Sequence, residues 1–371
     1  MKVLISGGGT AGHINPGLAI AKYIKRVEPH SKIMFVGTQK GLESRLVPRE
    51  GFEIKMIKVR GFQRKLSMDT LVAIKELFQG LLEARRLIKD YNPDIVIGTG
   101  GYVCGPIVFN AARMKIPTLI HEQNAFPGVT NKILSRFVDR IAISFKESEK
   151  FFKHKGNICF TGNPIRSEML EVDRAIARKK LGIPEDERFV VIFAGSRGAE
   201  NINKTVVEML KEYGSRLGFS FIYATGELEY ESIVKKTNAY YKGKSKIMPY
   251  IFDMANTMAA ADLVVCRAGA LTIGELTALG IPSIVIPSPY VTANHQEHNA
   301  RALEQQGAAV VILEKDLDPG MLYKKTMDLL KDKVKLSQMS YRARKMGITD
   351  ATESIFGCVQ EITGARKKLT N

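Results

Sequence analysis

The sequence predicts an α/β protein of two similar units, and two observations carry that prediction. The first is an apolar strand at residues 2–6, followed at once by a glycine-rich loop and a helix of apolar periodicity. The second is the restart of this pattern with a strand at residues 189–194. Fully apolar strands that alternate with helices are typical of parallel sheets covered on both faces. We therefore expect two Rossmann-like domains whose parallel sheets face a cleft between them.

The remaining elements follow in order along each half. We expect helices at 16–26, 71–88 and 201–213, and strands at 32–37, 94–99, 118–121, 158–161, 219–225, 263–266, 283–287 and 309–313. A cluster of Gly, Asn and Pro at 162–165 predicts a hinge. The expected domains are therefore 1–163 and 164–340. Residues 341–371 form a basic helical tail that we expect to pack on the first domain.

Composition and cysteine usage restrict the class of protein. Of 371 residues, 45% are hydrophobic and 25% are charged, as in ordinary globular proteins. The four cysteines form no CxxC pair, which indicates a reduced protein without a zinc ribbon. We expect no secretory signal at the N-terminus, and the sequence contains no apolar run of 18 residues, so any membrane contact is expected to be peripheral.

The charge is strongly positive and unevenly distributed. The net charge is +17, and residues 1–164 contribute +13 of it, with 26 Lys and Arg against 13 Asp and Glu. A field of this sign attracts polyanions, which include nucleic acids, anionic lipid surfaces and diphosphates.

The first half contains two glycine loops at strand ends. Residues 7–13 read Gly-Gly-Gly-Thr-Ala-Gly-His and formally match GxGxxG, and Gly100 and Gly101 follow a later strand. Loops at the carboxyl ends of parallel strands converge on one crevice, so we expect a diphosphate site there. An NAD site also requires an acidic residue at the end of the second strand, but that strand ends Phe-Val-Gly-Thr.

The second half has its own candidate anion site. Residues 195–199 and 267–272 are small-residue turns, each of which leads into a helix. The amides and dipole of the second helix can hold a nucleotide diphosphate. Glu275, about one turn further along, is placed to accept hydrogen bonds from ribose hydroxyls.

Two polar clusters follow strands and are expected to line a cleft. The first is His-Glu-Gln-Asn at 121–124 and the second is Asn-His-Gln-Glu-His-Asn at 294–299. His295 and His298 are too few for a metal site without a third ligand. The sequence contains no Asp-x-Asp signature for a divalent ion, so we expect catalysis without a metal or another cofactor.

Seven ordered motifs resemble the MurG-type N-acetylglucosaminyltransferases of glycosyltransferase family 28. They lie at 8–13, 98–102, 121–124, 162–166, 195–199, 267–272 and 294–296. The resemblance implies a GT-B fold, with the acceptor in the N-terminal domain and the sugar nucleotide in the C-terminal domain. This chain departs from the family pattern at Ala11, Arg197 and Glu297, where Gly, Gln and Gln are usual.

The resemblance also implies roles for individual residues. It implies UDP-N-acetylglucosamine as donor, undecaprenyl-diphospho-muramoylpentapeptide as acceptor, and cell-wall or division proteins as partners. Glu275 would bind the ribose, and Gln296 would bind the hydroxyls of N-acetylglucosamine. The backbone of Ile251 would contact the uracil edge. The other expected substrate-binding residues are Thr10, Ala11, Gly12, Asn124, Arg166, Ser196, Leu271 and Thr272.

The resemblance implies an α-linked donor and a β-linked product, which require one in-line displacement with inversion at the anomeric carbon. A base must then take the proton of the acceptor C4 hydroxyl. His13 is the first candidate because imidazole titrates near neutrality, and Glu122 is the second.

The resemblance implies a peripheral site on the cytoplasmic face of the cell membrane, and residues 59–88 agree with membrane contact. Here a basic segment precedes a helix whose apolar face is edged with cations, which suits anionic lipids. Three alternatives remain open: a GT-B enzyme that uses a diacylglycerol or soluble acceptor, an NAD-linked oxidoreductase, and a nucleic-acid-binding protein. The sequence lacks the aromatic stacking clusters and the recognition helix of nucleic-acid-binding proteins, so we expect no nucleic acid as partner.

Overall fold

The computed structural model describes residues 1–60, 68–195, 198–241 and 244–370. The chain forms two compact units. Unit 1 contains Met1–Ile165 and the chain from Asp350 onward, and unit 2 contains Arg166–Thr349. The chain therefore passes from one unit to the other twice, after Ile165 and after Thr349.

Unit 1 is built on a parallel sheet. Its strands are β1 (Lys2–Gly7), β2 (Lys32–Gly37), β3 (Glu53–Met56), β4 (Ile95–Gly100), β5 (Thr118–Glu122), β6 (Arg140–Ile143) and β7 (Ile158–Phe160). They form a seven-stranded sheet in the order β3-β2-β1-β4-β5-β6-β7. Every neighbouring pair is parallel. The order reverses direction between β1 and β4, which is where open α/β sheets bind ligands.

Helices connect these strands and cover both faces of the sheet. They are α1 (Ala11–Val27), α2 (Glu43–Arg49), α3 (Met68–Tyr91), α4 (Cys104–Arg113) and α5 (Val129–Leu134), with 3-10 turns at Lys146–Phe151 and Lys155–Asn157. Successive residues of β1 point to opposite faces. Val3 and Ile5 pack with α1, whereas Leu4 packs in a second core with Ile107 of α4.

Unit 2 repeats the arrangement with a second parallel sheet. Its strands are β8 (Phe189–Phe193), β9 (Ser220–Ala224), β10 (Lys246–Met248), β11 (Leu263–Cys266), β12 (Ser283–Val285) and β13 (Ala309–Val311). They form a six-stranded sheet in the order β10-β9-β8-β11-β12-β13. All neighbouring pairs are again parallel. The predicted α/β class with two Rossmann-like parallel-sheet units is confirmed.

The helices of unit 2 alternate with these strands along the chain. They are α6 (Ser167–Leu170), α7 (Arg174–Leu181), α8 (Glu200–Tyr213), α9 (Tyr230–Thr237), α10 (Met254–Ala260), α11 (Ala270–Leu279), α12 (His295–Gln305), α13 (Pro319–Lys331) and α14 (Lys333–Met346), with 3-10 turns at Gly214–Arg216, Thr292–Asn294 and Glu314–Asp316. The helix α14 packs on α11 within this unit.

The last helix, α15 (Ala351–Thr370), belongs to unit 1, where it packs on α1. Ile355 and Val359 of α15 are fully buried in the same core as Ile20 and Ile24 of α1. The expected tail at 341–371 begins inside α14, which is part of unit 2. The chain enters unit 1 again only at Asp350.

The loops after β1 and β4 pack directly on one another. The amide of Gly8 donates to the carbonyl of Gly100 at 3.3 Å. Gly101 has a φ of 84°, and a Cβ there would overlap the carbonyl oxygen of Gly8. Glycine is therefore required at Gly101 both by its backbone conformation and by the close approach of the Gly8 loop.

We predict that Gly101→Ala lowers the stability of the chain more than Gly51→Ala does. Both residues have a left-handed φ, but a Cβ at Gly51 meets nothing within 4 Å. The steric term should add roughly 1–3 kcal/mol to the conformational cost that the two variants share. Urea unfolding followed by far-ultraviolet circular dichroism measures both. Equal midpoints for the two variants would contradict the close packing of the loops.

Candidate functional site

The first turn of α1 presents its backbone to solvent. The residue before the helix, Thr10, is extended, with φ −138° and ψ 154°, and its side chain does not cap the helix. Thr10, Ala11 and Gly12 are exposed, and the first turn contains no acidic residue. The amides at a helix N-terminus favour an anion, so this turn can hold a phosphate group.

Glu43 is a buried carboxylate that holds the first glycine loop in place. One of its oxygens accepts from the amide and the hydroxyl of Thr38, each at 2.9 Å, and the other accepts from the amide of Gly9 at 3.0 Å. In the sequence Glu43 follows β2 by several residues, so its return to the strand end was not expected. Its oxygens serve the loops rather than a ribose.

His13 lies on the first turn of α1, whereas the sequence placed the helix start near Pro16. The ring packs on the second glycine loop, since a Cβ at Gly100 would be 2.6 Å from its Nδ1 atom. The Nδ1 atom lies 3.2 Å from Oε1 of Gln123, which follows β5. The structure therefore brings together the glycine loops and the polar cluster at 121–124.

Glu122 is buried at the end of β5, and its carboxylate is occupied by neighbouring groups. One oxygen accepts from the amide and the side chain of Asn124 at 3.0 and 3.2 Å. The other accepts from the amide of Gly128 at 3.1 Å and from Asn131 at 2.8 Å. These contacts fix the loop between β5 and α5. Because the Glu122 carboxylate already accepts four hydrogen bonds, whereas the His13 ring has one such contact, His13 is the better candidate for a proton acceptor.

In unit 2 the side chains expected at the nucleotide gather around α11. Leu271, Thr272 and Glu275 lie on this helix, whose cap residue is Gly269. The guanidinium of Arg166, just before α6, lies 4.0 Å from the Glu275 carboxylate. Burial raises the pKa of Glu275 to about 7, and the charge of Arg166 partly offsets this. A largely buried carboxylate of this kind gains from ligand hydroxyl donors.

The other expected donor-site residues lie on loops of unit 2. Ile251 is buried in the loop between β10 and α10. Gln296, in the first turn of α12, accepts from the amide of Ser288 at 2.9 Å and so ties down the loop after β12. Ser196, like Arg197 beside it, lies outside the described residues. Glu297 is engaged by Asn294 and by Arg301, so its position is set within its own helix turn.

One buried ion pair near α11 was missed from the sequence. Arg267 pairs with Glu314 at 2.5 Å, and both side chains are largely buried. Arg267 also donates to the carbonyl of Ile286 at 3.2 Å. These contacts hold the turn that precedes α11 against the ends of β12 and β13. The partners are far apart in sequence, so only the Arg267 motif gave a signal.

The described residues offer neither a metal-binding cluster nor a helix suited to span a membrane. Within those residues, no group of three or more His, Cys, Asp or Glu side chains is placed to hold a metal ion. Among the helices that the structure describes, none has both the length and the hydropathy of a membrane span.

Comparison with known families decides the class of this chain. Residues 3–143 match the glycosyltransferase family 28 N-terminal domain, and residues 189–355 match the glycosyltransferase family 28 C-terminal domain. The chain belongs to glycosyltransferase family 28. It is a glycosyltransferase, so the oxidoreductase and nucleic-acid-binding interpretations are set aside.

Two curated relatives illustrate how far the similarity extends. A protein of Acetivibrio thermocellus is 73% identical over 98% of both chains, and one of Ruminiclostridium cellulolyticum is 55% identical over 98% of this chain and 100% of its own. Each is named as a UDP-N-acetylglucosamine–N-acetylmuramyl-(pentapeptide) pyrophosphoryl-undecaprenol N-acetylglucosamine transferase.

Solved structures confirm the GT-B architecture of this family 28 chain. Acinetobacter baumannii MurG is 28% identical, with a TM-score of 0.77 over 97% of this chain and 99% of that one. The UDP-GlcNAc 2-epimerase of Neisseria meningitidis, solved with UDP-GlcNAc, has a TM-score of 0.68 at 14% identity over 97% of this chain and 100% of its own. The second likeness concerns the fold alone.

We predict a pH-dependent stability difference between the wild-type transferase and Glu275→Gln. The raised pKa of Glu275 means that the folded chain is stabilised by the neutral carboxyl below pH 4.5, and that this contribution is lost as the pH rises through about 7. The variant should therefore be the more stable protein at pH 8, by at most about 3 kcal/mol.

Thermal unfolding of both proteins between pH 5 and 8 measures this difference. Glu231→Gln, on the exposed surface of α9, is the matched control and should show no such trend. A constant difference between wild type and Glu275→Gln across the range would mean that Glu275 is not a desolvated carboxyl.

Proposed function

We propose that this glycosyltransferase moves N-acetylglucosamine from UDP-N-acetylglucosamine to the C4 hydroxyl of the muramoyl sugar of undecaprenyl-diphospho-muramoylpentapeptide, with inversion. The observation that carries the proposal is the 73% identity to the Acetivibrio thermocellus transferase over 98% of both chains. This reaction converts lipid I to lipid II in peptidoglycan synthesis.

The acceptor diphosphate is assigned to the start of α1 in unit 1. The exposed amides of Ala11 and Gly12 and the hydroxyl of Thr10 suit a diphosphate, and the first turn contains no acidic side chain to repel it. The side-chain amide of Asn124 donates to the Glu122 carboxylate at 3.2 Å, which orients it. Asn124 is assigned to the acceptor sugar. The basic excess of the N-terminal half favours the approach of this anionic substrate.

His13 is assigned as the base that takes the C4 proton. Its ring is at the same helix start as the diphosphate amides, and its Nδ1 atom faces Gln123. Glu122 orders the loop that carries Asn124, because its carboxylate accepts hydrogen bonds from that loop and from α5.

The donor is assigned to unit 2. The start of α11, with Leu271 and Thr272, suits the diphosphate of UDP, and Arg166 adds a positive charge for the leaving group. Glu275 accepts from the ribose hydroxyls. The backbone of Ile251 takes the uracil edge, and Gln296 and Ser196 complete the expected contacts to the sugar and the nucleotide.

Transfer of radiolabelled N-acetylglucosamine to a short-chain prenyl-diphospho-muramoyl acceptor tests this function. We predict a labelled disaccharide lipid with the wild-type chain. We predict a kcat about 10²- to 10⁴-fold lower for His13→Ala, since the general base is lost, and little change in the KM of UDP-N-acetylglucosamine.

Each part of this test can fail separately. Transfer to diacylglycerol or to a soluble sugar, without transfer to the muramoyl lipid, would replace the proposed acceptor. A near-normal kcat for His13→Ala would leave the acceptor assignment intact and remove His13 as the base.

We further propose that unit 1 binds the cytoplasmic face of the cell membrane peripherally. Five exposed apolar side chains form what we call the apolar patch, namely Phe78, Leu82, Val129, Ile133 and Phe137. The helix α4 packs on both α3 and α5, and its Phe109 ring meets Phe137 at 5.2 Å, so the patch spans neighbouring helices. Arg85 and Arg86 on α3 and Arg136 beside Phe137 are also exposed, and cations of this kind suit anionic lipids.

Residues 61–67, which complete the basic segment noted in the sequence, lie outside the described residues. Cell-wall or division proteins are also proposed as partners, and no surface of the chain is assigned to them.

We predict that vesicles with anionic lipid bind the chain at least about 10-fold more tightly than neutral vesicles, because each cation near the surface contributes about 1 kcal/mol. The double variant Phe78→Ser and Leu82→Ser should weaken binding to anionic and to neutral vesicles, since two apolar side chains no longer enter the lipid. Vesicle co-sedimentation measures this. The control is Val334→Ser with Tyr341→Ser, two exposed apolar residues on α14. Equal binding to neutral and anionic vesicles, or an equal loss in the control, would refute this membrane surface.

A further inference from the structure

A buried row of polar groups lies behind the ring of His13. Gln123 stands in the middle of the row and is 2% exposed. Its Oε1 atom is 3.2 Å from Nδ1 of His13. Its Nε2 atom donates to the carbonyl of Thr99 at 2.8 Å and lies 3.0 Å from Nδ1 of His121. The row thus joins the ends of β4 and β5 to the first turn of α1.

The partners of Gln123 determine which way its amide faces. The carbonyl of Thr99 can only accept a hydrogen bond, so the group beside it must be the NH₂ of Gln123. The carbonyl oxygen of the same amide then faces His13. Because that oxygen only accepts, the Nδ1 atom of His13 must carry the proton.

His121 lies at the other end of the row, and its two ring nitrogens have defined hydrogen-bonding roles. Its Nε2 atom donates to the carbonyl of Gly162 at 3.0 Å, which leaves Nδ1 to accept from Gln123. Burial lowers the pKa of His121 to about 4, although the hydrogen bond to Gly162 opposes this. His121 is therefore neutral at physiological pH, and each nitrogen in the row has one defined role.

The packing of the His13 ring agrees with this arrangement. Its Nδ1 edge lies against Gly100 and Gln123, which belong to the interior of unit 1. Among the residues that the structure describes, none is hydrogen-bonded to Nε2 of His13. The nitrogen that lacks a proton is therefore also the nitrogen that the fold leaves for a substrate.

We propose that Gln123 is a positioning residue that holds His13 as the Nδ1–H tautomer, so that Nε2 is the proton acceptor. This inference rests on the proposed role of His13 as the base. In the proposed step, Nε2 takes the proton of the C4 hydroxyl, the oxygen attacks the anomeric carbon, and UDP leaves with the electrons of the broken bond. Gln123 itself does not touch the substrate.

A double-mutant cycle in the transfer assay tests whether Gln123 acts through His13. Gln123→Met keeps the volume of the side chain but removes the strong acceptor and the donors. We expect its kcat to fall about 10- to 100-fold with both KM values within about 3-fold of wild type. In the His13→Ala background the same change should cost less than about 2-fold, because the ring on which Gln123 acts is absent.

The cycle separates two kinds of failure. A near-normal kcat for His13→Ala would overturn the base, and the positioning role with it. A loss from Gln123→Met that is equal in both backgrounds would overturn the positioning role alone. Asn110→Leu, which removes two amide hydrogen bonds elsewhere in unit 1, controls for destabilisation and should change kcat less than about 3-fold.

A second measurement needs no Gln123 variant and so holds even if Gln123→Met does not fold. Nitrogen-15 NMR of histidine-labelled wild-type protein at pH 8, with His13 assigned by its loss in His13→Ala, reports the protonated nitrogen directly. We expect Nδ1 to be protonated and Nε2 to be bare. A His13 that is protonated on Nε2 in the wild-type chain would overturn the proposal.

The conservative variant Gln123→Glu adds a test by pH profile. It keeps an acceptor oxygen beside Nδ1 of His13 and introduces a charge near the ring. The kcat should stay above that of Gln123→Met, and the acid limb of its pH profile should move to higher pH, because a carboxylate stabilises the protonated imidazole. An acid limb at the wild-type position, together with a kcat as low as that of Gln123→Met, would count against the proposal.

Discussion

The close packing of two backbone loops in unit 1 is the constraint on which the candidate site depends. The amide of Gly8 bonds to the carbonyl of Gly100, and Gly101 lies so near Gly8 that no side chain fits between them. Because of this approach, α1 begins beside the end of β4, and the ring of His13 rests on Gly100. The location of the proposed base is therefore set by backbone contacts between parallel strands, and Glu43 reinforces them through the amide of Gly9.

Two glutamates, one buried and one largely buried, illustrate how environment separates a structural carboxylate from one that suits a ligand. Glu122 accepts four hydrogen bonds from its own loop and from α5, so its charge is satisfied inside unit 1. Glu275 has the Arg166 guanidinium at 4.0 Å, and burial raises its pKa to about 7. Hydroxyl donors from a ribose would stabilise the charged form of Glu275, whereas Glu122 gains little from any further donor.

Much of the fold could be predicted from the sequence because strands buried on both faces must be apolar throughout. The strands β2 and β11 have the predicted bounds. Edge strands such as β3, which alternates exposed and half-buried residues, gave no such signal. The sequence predicts a helix from residue 16, whereas α1 begins at Ala11, directly after the glycine loop. The contact of His13 with Gln123 joins residues 110 positions apart, and no local pattern encodes it.

The most direct test of the site is a crystal structure of the full chain with UDP and a short-chain prenyl-diphospho-muramoyl acceptor. We expect the acceptor diphosphate on the amides of Ala11 and Gly12, and the C4 hydroxyl oxygen about 2.6–3.2 Å from Nε2 of His13. A diphosphate bound away from the start of α1, or a C4 hydroxyl that faces a different side chain while His13 stays turned to Gln123, would contradict the assignment of this loop pair as the acceptor site.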